Sequence, residues 1–243
     1  MTTSKPALYT ALSPALLHLY DLNHAIVVII DVLRATSTIA TALYHGAKCV
    51  IPVDSVAKCI ELGRQIDGIT AGERDGMIAE GLEHGNSPFE YPREFIYNRT
   101  LVLTTTNGTK LLHMALERGA GQIITGSFPN LSSVCNYLIA QNQPVVLGCA
   151  AWKDRINIED LLFAGAVISR IKDHFSINCD SSQIAETVYH DAKADLFGFM
   201  QAKEASHYRR LMGYGLEKDI RYCLTPDVAN VLPLYENGKL IVL

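Results

Sequence analysis

The segment Val27-Val28-Ile29-Ile30-Asp31-Val32-Leu33-Arg34-Ala35-Thr36-Ser37-Thr38 carries a carboxylate, a guanidinium and three hydroxyls directly after an apolar run. Such a run reads as a strand buried on both faces. Ligands of open α/β sheets gather at the C-terminal ends of such strands. The following helix aims its first N–H groups and its positive end at the same spot. Acid, base, hydroxyls and a helix N-terminus together suit a metal ion and a phosphate. Asp31 therefore reads as a metal ligand or a nucleophile, against the plainer role of an acid that satisfies backbone groups. Arg34 is an anion clamp or a surface ion pair. Thr36 and Ser37 are phosphate donors or ordinary caps.

Five further stretches offer chemistry. Glu73 and Arg74 stand between Gly72 and Gly76 after a short apolar run, where glycine lets backbone approach a ligand. Asn86-Ser87-Pro88 has the composition of a turn. Thr104-Thr-Thr-Asn107-Gly108-Thr109 is a polar strand-to-helix junction, either an anion nest or a bend capped by Asn107. It lacks the GxxxxGK[ST] pattern of a P-loop. Glu159 and Asp160 follow Asn157; they are magnesium ligands, or first-turn acids of a helix that Asn157 caps. Cys149 precedes Arg155 in the loop Cys149-Ala-Ala-Trp152-Lys-Asp-Arg155, a spacing that echoes thiolate phosphatases. No histidine precedes Cys149, however, and the loop is bulky, so Trp152 reads as a pocket wall. The histidines form no zinc-spaced cluster.

These residues need a scaffold. The 243-residue chain is 49% apolar and 19% charged, so it can build a large core. A net charge of −4 argues against a nucleic-acid binder but permits an anionic small substrate. No apolar stretch reaches the ~20 residues of a membrane span. The first residues lack a signal-peptide pattern. Scattered cysteines without CxxC pairs fit a reducing, cytoplasmic setting.

Periodicity predicts strands over 25–31, 49–53, 69–71, 101–106, 121–126 and 144–149. Helices are predicted over 36–45, 56–66, 110–118, 131–141 and 158–175. Pro52 favours an edge or a strand end, Gly46 a helix C-cap, and Ser55, Asn130 and Asn157 N-caps. Residues 8–23 suggest a strand and a short helix, and 72–92 a long functional loop. The alternation implies a three-layer α/β/α fold with a mainly parallel sheet. From 178 onward the pattern turns helical (181–189, 192–202, 204–212). Asn237-Gly238 between two apolar runs predicts a terminal β-hairpin. The expected organisation is one domain over 1–243, with the helices of about 180–215 as a subregion.

Asp31-Val-Leu-Arg-Ala-Thr-Ser37, Gly72-Glu-Arg74, Gly85-Asn-Ser-Pro88, Thr105-Thr-Asn-Gly-Thr109, and Cys149-Ala-Ala-Trp152 with Glu159-Asp160 occur in one order. In that order they resemble the 2-phosphosulfolactate phosphatase (ComB) family. The resemblance spans nearly the whole chain and includes Asp219 to Cys223. Ala151 stands where the family usually has glycine, and Leu82-Glu83-His84 where a Phe-Asp-like pair is expected. The resemblance implies an α/β/α phosphatase that uses Mg²⁺ to hydrolyse (2R)-2-phospho-3-sulfolactate to sulfolactate and phosphate, a step towards coenzyme M. The rival readings are a phosphatase for another small phosphorylated hydroxy acid and a non-catalytic anion-binding module.

On this reading Asp31 with Glu159 or Asp160 holds the metal, with Glu73 beside it. Arg34, Arg74 and Arg155 contact the anionic phosphorylated substrate. Thr36, Ser37, Asn86, Ser87, Asn107, Gly108, Thr109, Cys149 and Trp152 line its site. A homodimer is the expected assembly.

Overall fold

The computed structural model describes residues 5–74 and 77–243. The chain opens with β1 (Leu8–Ala11), a 3₁₀ turn, β2 (Ile26–Ile30), α1 (Ala35–Tyr44), β3 (Cys49–Val53), α2 (Val56–Ile66) and β4 (Ile69–Arg74). Then come β5 (Met77–Ile78), α3 (Arg93–Ile96), β6 (Thr100–Thr104), α4 (Gly108–Glu117), β7 (Gln122–Gly126), α5 (Leu131–Gln141) and β8 (Val145–Cys149). The remainder is α6 (Ile158–Ile171), α7 (Asp180–Ala192), α8 (Leu196–Ala202), α9 (Ser206–Gly213), α10 (Glu217–Cys223), β9 (Pro233–Glu236) and β10 (Lys239–Val242).

Among the described residues the strands form one sheet in the order β1-β8-β2-β7-β9-β10-β3-β6-β4-β5. Two parallel groups, β1-β8-β2-β7 and β3-β6-β4, flank the C-terminal hairpin. The hairpin meets each group antiparallel, Leu234 opposite Ile124 and Leu240 opposite Val50. Asn237 and Gly238 both have positive φ (49° and 84°), as a two-residue hairpin turn demands.

Strand β2 shows why the layers number three. Side chains alternate across a strand. Ile26, Val28 and Ile30 pack with α5, α6 and the C-terminal helices, while Val27 and Ile29 pack with Leu111, Leu112 and Ala115 of α4. Helices therefore cover both faces. The second strand group is covered by α1, through Ile39, Ala42 and Leu43, and by α2, through Cys59. No helix among the described residues is long and apolar enough to cross a membrane.

Several boundaries differ from the sequence reading. β4 runs on through Glu73 and Arg74, because β5 pairs with it at those residues; the pair sits on a strand rather than a tight turn. The stretch read as a long loop, 72–92, holds the end of β4, β5 and a 3₁₀ turn at Pro88–Glu90, and α3 follows it directly. Strand β3 is internal despite Pro52. Pro52 is nevertheless its penultimate residue, close to the strand end that the proline also favours. Ser55 caps α2 as expected, accepting from the Lys58 N–H, and Gly46 follows α1 at φ 92°. Asn157 begins α6 without a side-chain cap bond. The Asn130 side chain serves the turn before α5, accepting from the Ser127 N–H. Helix α10, absent from the sequence reading, carries Asp219.

Leu240 is fully buried in the core between α1 and the second strand group. Leu240→Ala should lower the unfolding free energy by about 2–5 kcal/mol, the usual range for such truncations. The check is the urea midpoint at unchanged m-value; a shift under ~0.5 kcal/mol would mean that the hairpin does not hold the sheet together.

Candidate active site

A small cleft, open to solvent, lies over the ends of β2, β4, β6 and β8. Asp31, Arg34, Glu73, Asn86, Asn107 and Trp152 line it, all expected from the sequence. His207, Arg210 and Leu211 of α9 form a wall that the sequence reading missed, and Thr106 adds to the rim.

Asp31 follows β2 directly. Its backbone N–H donates to Thr36 Oγ1 (3.2 Å), its carbonyl accepts from the Thr36 N–H (2.9 Å), and Ser37 Oγ donates to the Val32 carbonyl (2.8 Å). Thr36 and Ser37 are buried and hold the Asp31 turn; they do not face the cleft. The Gly108 N–H, first in α4, donates to the Asp31 carboxylate. A Cβ at residue 108 would come within 2.9 Å of Asp31 Oδ2, so glycine is needed for this close approach. Thr109 faces inward, donating to the Thr105 carbonyl (2.6 Å).

Acids dominate the floor. Burial pushes the Asp31 carboxyl up to about 6; nearby His207 opposes the rise, while Glu73 and Glu159 add to it. Asp160 is driven well above the carboxylate range by burial, then by Glu159 and Asp31. Its two oxygens accept from the backbone N–H groups of Val32 (3.0 Å) and Ala151 (3.1 Å). It therefore ties the β2 and β8 turns together, and its oxygens are less available to a ligand than the sequence reading expected. Glu159 Oε1 bonds His207 Nδ1 at 2.5 Å. Its Oε2 is buried and has no hydrogen-bond partner among the described residues. Asn86 Oδ1, at the cleft, is in the same condition. Glu73 Oε1 accepts from both the N–H (3.2 Å) and the hydroxyl (3.0 Å) of Thr106, which locks the β6 turn against β4.

The cations are distributed differently from expectation. Arg34 forms a buried ion pair with Asp219 of α10 at 2.6 Å. Arg74 lies off the cleft lining; its guanidinium donates to the Glu73 carbonyl (2.6 Å) and to Thr104 Oγ1 (3.2 Å). Arg155 is exposed on the turn that pairs it with Trp152 and does not line the cleft. Arg210 lines the cleft instead, its guanidinium carbon 4.4 Å from the Trp152 ring centroid. Ser87 also lies outside and caps the 3₁₀ turn with Glu90. Cys149 is buried at the end of β8. Burial, then the Asp160 and Glu159 charges, push its thiol well up, the opposite of what a thiolate nucleophile needs. The signal that could have found the α9 wall was helical spacing: His207, Arg210 and Leu211, three and four residues apart, share a face.

Among the described residues no three acid, histidine or cysteine side chains are grouped as a preformed metal centre. The donor set nonetheless suits a hard divalent cation, which takes one or two carboxylates and completes its shell with water and substrate phosphate. Mutually repelling buried carboxylates and the unpartnered Glu159 Oε2 are what such an ion would relieve.

Residues 11–238 match the family model described as 2-phosphosulpholactate phosphatase. A protein of Caldanaerobacter subterraneus subsp. tengcongensis named probable 2-phosphosulfolactate phosphatase is 38% identical over 222 residues, covering 90% of each chain. A protein of the same name from Thermotoga maritima is 39% identical over 216 residues, covering 88% of this chain and 91% of its own.

The Asp31 carboxyl yields a stability test in chelator. Its folded value, about 6, lies above its ordinary 3.8, so between these pH values the folded state binds more protons and stability falls as pH rises. Above pH 7 the buried charge costs on the order of 3 kcal/mol. Asp31→Asn should therefore be the more stable protein at pH 7.5, with the gap closing below pH ~4. Thermal unfolding across pH measures this; a variant less stable at pH 7.5 would contradict the assignment.

Proposed function

The chain belongs to the 2-phosphosulpholactate phosphatase family, and from that membership we propose that it hydrolyses (2R)-2-phospho-3-sulfolactate to (2R)-3-sulfolactate and phosphate with Mg²⁺. The observation that carries the proposal is the acid cluster around Asp31, buried beside two helix N-termini in a cleft that also contains arginine. In that cluster Asp31 and Glu159 would hold the ion, with Glu73 beside them. When bound there, such an ion would supply charge neutralisation and Lewis acidity for the phosphoryl transfer.

The protein's own groups do the rest. Water adds its oxygen to phosphorus, the bond from phosphorus to the C2 oxygen breaks, and that oxygen takes up a proton, so the products are a phosphate and an alcohol. A loose phosphoryl transition state needs positioning and charge stabilisation more than covalent help. Arg34, held rigid by Asp219, presents a fixed guanidinium to the phosphoryl group. The α4 N-terminus adds its positive end from the Gly108 side, and Asn107 contributes an amide at the rim. His207 holds Glu159 in place through Nδ1. Asp160 keeps the Val32 and Ala151 turns in register. Trp152 walls the cleft from water.

The direct test is phosphate release from synthetic (2R)-2-phospho-3-sulfolactate with Mg²⁺ and with EDTA, beside phosphoglycolate and 2-phospholactate. Turnover should be highest with phosphosulfolactate and vanish in EDTA. Asp31→Asn should lower kcat/KM by about 100- to 1,000-fold, the scale for losing one charged group at a reacting centre. Undiminished turnover by the variant, or full activity in EDTA, would sink the reading.

A further inference from the structure

We infer that Arg210, stacked on Trp152, is the residue that selects the sulfonate of the substrate; the inference rests on the reading above. A phosphosulfolactate molecule brings three anionic groups into a cleft whose floor is acidic. The phosphate and the carboxylate both sit on C2, while the sulfonate sits one carbon farther out. A cation near Asp31 can serve the first two, so the third needs its own.

The charge inventory leaves few candidates. Arg34 is three residues from Asp31 and anchored by Asp219, which places it with the phosphoryl end. Arg74 and Arg155 do not line the cleft. Lys110 lies outside it as well and pairs with Asp154 at 3.0 Å. Arg210 does line it, is half-buried, and among the described residues makes no ion pair. Its contact is the face of Trp152, 4.4 Å from the ring centroid. A contact with an aromatic face holds a guanidinium in place without using its N–H donors, which stay available to an oxyanion. A guanidinium is also weakly hydrated, as is a sulfonate, so the pair loses little water on meeting. Lys153 holds its ammonium 4.5 Å from the same ring, which makes the Trp152 end of the site basic.

Trp152 thus has a second duty besides walling the cleft: it aims Arg210. The arginine comes from α9 and the tryptophan from the β8–α6 loop, so specificity is set where the helical segment meets the sheet. His207, one turn earlier on α9, anchors that helix to the acid cluster through Glu159.

The test compares two substrates that differ by one group, phosphosulfolactate and 2-phospholactate, with wild type, Arg210→Gln and Arg210→Lys. Arg210→Gln should lower kcat/KM for phosphosulfolactate by about 10- to 100-fold, the range of one charged hydrogen-bonded contact, with most of the loss in KM. The loss on 2-phospholactate should be at least about ten times smaller, and Arg210→Lys should recover part of the sulfonate preference. Equal losses on the two substrates would place Arg210 at the phosphoryl group or in the scaffold and overturn the inference. Calorimetric binding of (2R)-3-sulfolactate gives a readout independent of turnover. If neither phosphate ester is hydrolysed by wild type, the phosphatase reading fails by itself. Weaker sulfolactate binding by Arg210→Gln would still uphold the arginine's role. Equal binding by the two proteins, or none by wild type, would end it.

Discussion

The site is organised by an electrostatic conflict: burial and neighbouring carboxylates raise the proton affinity of Asp31 and of Asp160, with Glu159 and Glu73 beside them. Like charges out of water are unfavourable unless something pays the difference. Much of the local sequence reads as a response. Asp160 takes two backbone N–H groups, Asp31 takes one from Gly108, and Glu159 takes a histidine. Each of these bonds also fixes a turn or a helix end. The groups that tolerate the charge are therefore the ones that set the geometry, and substituting one disturbs both.

The C-terminal helices complete the arrangement. Arg34 needs Asp219 from α10, because a guanidinium this deeply buried is costly without a partner. Glu159 needs His207 from α9. Two contacts of opposite polarity thus clamp the helical segment over the ends of the strands. Arg210 rides on the same helix as His207, so the geometry of the floor and that of the wall are coupled.

Much of the scaffold was legible because it follows local rules. The apolar run 26–30, the Ser55 cap and the Asn237-Gly238 turn announce their structures through side-chain period, hydroxyl placement and positive φ. Asp31 was legible for the same reason, being the first polar residue after a buried strand. Long-range pairing was not. Thr36 and Ser37 looked like phosphate donors because sequence cannot show that their hydroxyls turn back to the Asp31 and Val32 backbone. Arg155 lies on a turn exposed to solvent, and nothing in the helical pattern of 204–212 marks Arg210, which reaches the cleft only because α9 packs over the strand ends. The φ of Ala151 is 57°, in the left-handed region that glycine adopts most easily, which fits the glycine that the family resemblance leads one to expect there.

The order of the strands adds a constraint on how the site comes together. Asp31 and Trp152 follow strands of the β1-β8-β2-β7 group, whereas Glu73 and Thr106 belong to the end of β4 and the turn after β6 in the other group. Between the groups in the sheet lies the hairpin made from the last residues of the chain. Early parts of the sequence can therefore form their strands and helices locally, yet the two sets of acids gain their sheet-borne register only through β9 and β10. Contacts between residues so far apart in sequence carry a loop-closure cost before they contribute. The hairpin meets each neighbour through an antiparallel registered pair, Leu234 with Ile124 and Leu240 with Val50, so apolar burial carries much of the join. Chemistry that depends on Asp31 and Glu73 facing one cleft thus depends on Leu240, a residue that touches neither substrate nor metal.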